Sequence, residues 1–163
     1  MSRTDAGDSG PRTPGERRVP LHELLGIQLL EMGGGRARLA LEVRDHHLRT
    51  FGILHGGVFA AMLDAVMGTA AASSARPGHD VVTVQLNVNF IRPVALGESL
   101  VASAEVEHAG RRTAVARGEI RTASGDLAAL GSATFMFLPP TGPAQGGLGP
   151  IGGTPAEGGQ PAG

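Results

Sequence analysis

Residues 55–75 read HGGVFAAMLDAVMGTAAASSA, and Asp64 is the one acid between His55 and Arg76. Val58, Ala61, Met62, Ala65, Met67 and Ala72 recur at helical spacing, and most remaining positions are Ala. This predicts one long helix, apolar nearly all round and therefore buried. It is too short and too rich in Gly, Ala and Ser for a membrane span. A carboxylate in the middle of such a helix costs on the order of several kcal/mol if unpaired. Asp64 is therefore expected to be hydrogen-bonded, shifted in pKa, or used in chemistry.

Gly56 and Gly57 fall where the helix begins, so their N–H groups lack partners within it and lie at the positive end of its dipole. Glycine there also lets a ligand approach the backbone. An oxyanion forming near Gly56 meets a donor. Asp64 follows about two turns later, roughly 12 Å along the axis. That is too far for both groups to touch one carbonyl, so a working site would pair Gly56 of one subunit with Asp64 of another. The plainer alternative is a Gly-Gly helix start and a satisfied core acid.

The chain has 163 residues, enough for one domain, with 41% hydrophobic residues and no Cys, which excludes disulfides and thiolate chemistry. A net charge of −1 without Trp or Tyr argues against a nucleic-acid surface. The N-terminus lacks the apolar core of a signal peptide, so a cytoplasmic protein is expected. Residues 1–18 are polar and rich in Gly, Pro and Arg. Residues 141–163 hold nine Gly and four Pro with one charge, Glu157. Both are expected to be disordered tails around a domain at 19–140.

Within 19–140 strands dominate. A helical turn is expected at Leu21–Leu25, then strands at Ile27–Met32 and Arg36–Val43 joined by Gly33-Gly34-Gly35. An irregular stretch, 44–54, leads to the helix. Asp80–Ile91 alternates, with Val82, Val84, Leu86, Val88 and Phe90 on one face and Thr83, Gln85, Asn87 and Asn89 on the other. Leu100–His108, Arg112–Thr122 and Asp126–Leu138 add three strands with short turns. The expected architecture is α+β, an antiparallel sheet wrapped around one long helix.

The segments ELLGIQLLE (23–31), HLRTFGILHGGVFAAMLDAVMGTAA (47–71), VVTVQLNVNFIRPVALGESLVASAEVEHAGRR (81–112) and GDLAALGSATF (125–135) resemble the hotdog-fold PaaI-like acyl-CoA thioesterases. The most specific part is HGG with Asp nine residues after the His, then a strand carrying T-x6-F-x-R-P. The resemblance implies hydrolysis of an acyl-CoA or aryl-CoA thioester without a cofactor. It also implies homodimers whose sheets join, often paired into homotetramers, with active sites at the interface.

On the same resemblance, Asp64 matches the catalytic carboxylate, as general base or nucleophile. Gly56 matches the oxyanion glycine, beside Gly57 on the substrate side. His55 matches the His of HGG, shaping the pocket or, alternatively, buried and holding the loop. Thr83 matches a Ser or Thr that faces the site, or is ordinary strand filling. Related chains often read HLNPxGxxHGG, and here Arg49 replaces the Asn. Arg has donors but no acceptor, so it cannot orient water as Asn does. It could instead pair with Asp64 of a neighbour, bind phosphate, or point to solvent. Arg111, Arg112 and then Arg92 are the further candidates for the coenzyme A phosphates.

Other chemistries fit poorly. The six His form no metal-ligand pattern, and neither H-E-x-x-H nor G-x-S-x-G occurs. A hotdog hydratase needs Asp followed five residues later by His. Asp45, Asp64 and Asp80 are followed there by Thr50, Thr69 and Gln85. The rival is a non-catalytic acyl-CoA-binding module, with Arg49 marking lost activity. Small residues along helix and sheet are expected to leave room for a bulky acyl or aromatic tail.

Overall fold

Gly34 and Gly35 adopt positive φ (58° and 78°), and this two-residue turn folds β1 (Gln28–Gly33) back on β2 (Arg36–Glu42). The computed structural model describes residues 19–140; the expected tails at 1–18 and 141–163 lie outside the described residues. A short helix, α1 (Pro20–Leu25), precedes β1. Proline suits its first position, where no intrahelical N–H bond is due. Gly26 ends it in the left-handed region, with Gly26 N–H donating to the Glu23 carbonyl (3.1 Å) and Ile27 N–H to that of His22 (2.8 Å).

The stretch read as irregular contains a 3-10 turn at Asp45–His47 and a small hairpin, β3 (Leu48–Arg49) with β4 (Ile53–Leu54). It is tied down by His55 N–H to the His47 carbonyl (2.9 Å) and Leu54 N–H to that of Val94 (2.8 Å). The long helix, α2, runs Gly56–Ser74. Four further strands follow, β5 (Asp80–Phe90), β6 (Ser99–Ala109), β7 (Thr113–Thr122) and β8 (Leu127–Leu138). The six-stranded sheet has the order β1-β2-β6-β7-β8-β5, antiparallel throughout. It carries α2 on one face, so the expected α+β hotdog architecture is present.

Two expectations about side-chain direction need correction. First, α2 is not buried all round. Val58, Met62, Ala65 and Met67 face the sheet as expected, together with Phe59, Leu63, Val66, Ala70 and Ala71. Ala61 and Ala72 do not; Gly57, Ala60, Ala61 and Asp64 form a stripe that this chain leaves only partly covered. Contrary to the expectation, α2 is by length and composition alone long and apolar enough to cross a membrane, yet half of it is buried against the sheet, as befits a core helix. Second, a bulge between Thr83 and Gln85 breaks the alternation of β5. Thr83, opposite buried Phe135, therefore shares the α2 face with Leu86 and Val88, while Val82 and Val84 are exposed.

Ala102, Ala114, Ala116, Ala128 and Ala129 are fully buried and let α2 approach the sheet. Gly118 and Gly131 pair across β7 and β8 beneath Leu63. A Cβ at Gly131 would lie 2.5 Å from the Asn87 carbonyl oxygen, so glycine is required there.

Candidate active site

The start of α2 shows why the two glycines differ. His55 is exposed, not buried, and caps the helix: its Nδ1 accepts from Gly57 N–H at 2.9 Å, leaving Nε2 as the ring's donor. A Cβ on Gly57 would sit 3.0 Å from that Nδ1, so glycine keeps the cap in place. The N–H of Gly56 donates to no acceptor among the described residues. It is the free donor at the positive end of the helix. The ring of Phe90, at the far end of β5, covers Gly56, with Cζ 3.3 Å from where a Cβ would stand. Phe90 packs in turn on Phe59, ring centroids 6.0 Å apart, but stays 58% exposed.

Two turns along, Asp64 is half-buried on the open stripe. Its Oδ1 accepts from the Thr83 hydroxyl at 2.8 Å. This contact exists because the bulge turns Thr83 toward α2. The Oδ2 atom has no hydrogen-bond partner among the described residues. α1 adds a residue that sequence reasoning missed: His22 and Leu25, one helical turn apart, are its two partly buried side chains. Burial pushes the His22 pKa below 6.5, and the Asp64 carboxylate nearby opposes that shift. Nothing in LHELLG distinguishes His22 from a surface residue; tertiary packing alone brings it within range of the Asp64 charge.

The remaining candidates are dispersed. Arg49 is exposed at the β3–β4 turn, with its guanidinium 5.9 Å from the centroid of the Phe51 ring. Phe51 itself holds φ 80° and is 85% exposed. Arg92 is ion-paired with Asp126, whose carboxyl lies below its usual range through the Ser124 hydroxyl and Arg92. Arg111 and Arg112 are exposed in the β6–β7 turn, where the Arg112 carbonyl accepts from Phe137 N–H (2.8 Å). Phe137 pairs with Val81 near the start of β5, whereas Arg92 follows its end. One chain therefore does not gather Arg92 with Arg111 and Arg112. It keeps Gly56, His55, Gly57 and Arg49 at the Phe90 end of β5, and Asp64 with Thr83 at the other.

An open trough of about 1100 Å³ crosses the outer face of the sheet, but no candidate residue lines it. Its arginines pair with its acids, as in Arg36–Glu105 (2.7 Å) and Arg38–Glu31 (2.8 Å). Among the described residues no cluster of three or more His, Cys, Asp or Glu is placed to hold a metal.

Known proteins share this sequence pattern and fold. Residues 51–129 match the family model of the thioesterase superfamily. A Mycobacterium tuberculosis protein provisionally named an esterase is 35% identical over 119 residues, covering 63% of this chain and 84% of its own. The human acyl-coenzyme A thioesterase 13 is 30% identical over 109 residues, covering 66% and 77%. The structure of the Escherichia coli PaaI protein, from the phenylacetic acid degradation operon, is 27% identical. It superposes with a TM-score of 0.70 over 74% of this chain and 86% of its own. The chain thus belongs to the thioesterase superfamily, as a thioester hydrolase of the hotdog fold.

Proposed function

We propose that this protein hydrolyses acyl-CoA or aryl-CoA thioesters at sites shared by two copies of the chain, each built from Gly56 of one subunit and Asp64 of its partner. The carrying observation is the placement of the two half-sites at opposite ends of β5. Phe90 covers Gly56, and Thr83 holds Asp64. β5 is an edge strand of eleven residues. An unpaired edge of that length invites pairing. Antiparallel pairing with a second β5, about a two-fold near Leu86 and Asn87, sets the Phe90 end of one copy against the Thr83 end of the other. Each pair then contains two complete sites, and the partly covered stripe of α2 gains a neighbour.

In such a site the Gly56 N–H polarises the thioester carbonyl and holds the oxyanion that forms on attack. Asp64, oriented by Thr83, removes a proton from the attacking water. The tetrahedral intermediate collapses with loss of the coenzyme as thiolate. Arg49 of the Gly56-bearing chain, with Arg111 and Arg112 of the other, supplies cations for the coenzyme phosphates. The coenzyme A assignment follows the human relative and the PaaI resemblance.

Asp64→Asn tests the reading. It preserves size and the hydrogen bond from Thr83 but removes the base, so kcat should fall roughly 100-fold or more with little change in KM or Tm. A folded variant turning over acyl-CoA at the wild-type rate, followed as free thiol, would take Asp64 out of the mechanism.

A further inference from the structure

We infer that Phe51 is a specificity-determining residue: its ring, held out by a strained turn beside Arg49, stacks on the adenine at the coenzyme end of the substrate. The inference rests on the coenzyme A thioester reading above and names the side chain that grips the nucleotide.

The β3–β4 hairpin closes on a four-residue turn, Arg49-Thr50-Phe51-Gly52, in which Gly52 N–H donates to the Arg49 carbonyl at 3.2 Å. Thr50 has no positive φ, whereas Phe51, the third residue, holds φ 80°. This is the pattern of a type II turn, whose third position favours Gly or Asn. Phe51 is the one non-glycine residue with positive φ among the described residues. A bulky side chain in that conformation is strained. The ring returns little to the fold: it is 85% exposed and belongs neither to the core cluster nor to the side chains packed on it. A phenylalanine that strains the backbone and buries almost nothing is placed for contact with something outside the chain.

Its surroundings indicate what that is. The Arg49 guanidinium lies 5.9 Å from the ring centroid, within cation–π range. Arg36, Arg38, Arg44, Arg92, Arg117 and Arg121 pair with carboxylates, whereas Arg49 has no carboxylate partner among the described residues. An aromatic plate beside an unpaired cation suits a planar base that carries phosphate. Distance separates this spot from the acyl end. Ile53–Leu54 is a strand and His55 is extended, so the backbone from Gly52 to Gly56 spans roughly 13 Å. A carbonyl held by the Gly56 N–H lies under Phe90, so the acyl group meets that ring first. Phe51 stands at the far end of the hairpin, where the long pantetheine arm delivers the nucleotide. The hairpin is fixed there by the Leu54 N–H bond to the Val94 carbonyl and by the bridge of Ile53 to Ala95.

The experiment uses the full chain as wild type, Phe51→Asn and Phe51→Trp. Its substrates are one acyl-CoA that wild type cleaves and the pantetheine thioester of the same acid, which lacks the nucleotide. Phe51→Asn suits the turn and removes the ring, so its Tm should rise by about 3 °C. Its KM for the acyl-CoA should rise roughly tenfold with little change in kcat. Its KM for the pantetheine thioester should stay within about twofold of wild type. Phe51→Trp keeps an aromatic plane and should hold the KM for the acyl-CoA within about twofold of wild type. Calorimetry with coenzyme A itself needs no turnover and should show roughly tenfold weaker binding to Phe51→Asn. A KM for the acyl-CoA that Phe51→Asn leaves unchanged, or raises equally on both thioesters, would overturn the inference, as would a Tm that does not rise. If wild type cleaves no acyl-CoA yet binds coenzyme A through Phe51, the hydrolase reading fails and this one stands. If it cleaves acyl-CoA and Phe51→Asn binds the coenzyme as wild type does, the reverse holds.

Discussion

Gly56→Pro is the substitution that isolates the oxyanion donor. Gly56 is the first residue of α2, where proline is well tolerated because its missing N–H would have no intrahelical partner. The preceding residue must be extended, and His55 already is, at φ −71° and ψ 136°. No existing hydrogen bond is lost, because the Gly56 N–H has no acceptor among the described residues. At the new Cβ the steric cost is the Phe90 ring, 3.3 Å away. That ring is the exposed end of a flexible side chain and can move. Folding should therefore change by less than about 1 kcal/mol, with the stiffer unfolded chain offsetting the contact. Catalysis should suffer far more. Loss of one oxyanion donor costs about 3 kcal/mol, or 100- to 1000-fold in kcat. Gly56→Ala is the control, since it adds the same Cβ against Phe90 and keeps the N–H. Thiol release and thermal melting on wild type and both variants decide the matter. If proline and alanine variants turn over within about threefold of one another, the N–H is not the oxyanion donor.

Two further outcomes concern stability. Gly131→Ala drives a Cβ against the Asn87 carbonyl and must push β5 off β8, whereas Gly118→Ala meets the flexible Met67 side chain at 3.0 Å. Calorimetry should show the larger Tm loss for Gly131→Ala, roughly 10 °C for a penalty of about 2 kcal/mol; the reverse order would contradict the packing described. His47 is 1% exposed and its Nδ1 accepts from Arg44 N–H at 3.0 Å, so the folded state favours the uncharged ring. Burial is the main reason its pKa lies below 6.5, followed by the neighbouring His46; the Leu25 carbonyl opposes them. The unfolded chain therefore binds this proton first as pH drops. Its contribution is complete above pH 6.5 and is lost as pH falls from there toward the folded pKa. Urea unfolding across that range should show wild type losing stability with falling pH more steeply than His47→Gln; equal slopes would refute the assignment.

The elements of the fold were legible because they rest on local patterns. The apolar period gave α2, the Gly-rich turn gave the β1–β2 hairpin, and short turns gave the antiparallel order. Side-chain direction was less legible. A single extra residue near Val84 transfers Thr83 to the helix face, and no periodicity count registers a bulge in an otherwise regular strand. The open stripe around Asp64 was hidden for a different reason: Ala and Gly look alike to a burial argument whether they face a sheet or a second molecule. The ion pair that engages Arg92 could not be foreseen, since its partner Asp126 reaches it only through the pairing of β5 with β8. The influence of the Asp64 charge on His22 was invisible for the same reason, arising from packing and from no sequence pattern.

The central claim is that each site draws Gly56 from one chain and Asp64 from the other, and subunit mixing tests it most directly. Gly56→Pro and Asp64→Asn are each prepared as inactive protein, then unfolded together in equal amounts and refolded. If sites are shared, every mixed dimer holds one site with both lesions and one with neither. About half of the dimers are mixed, so activity should return to roughly a quarter of wild type. If each chain builds its own site, every site carries one lesion, and a mixture as inactive as its two parents would contradict the account.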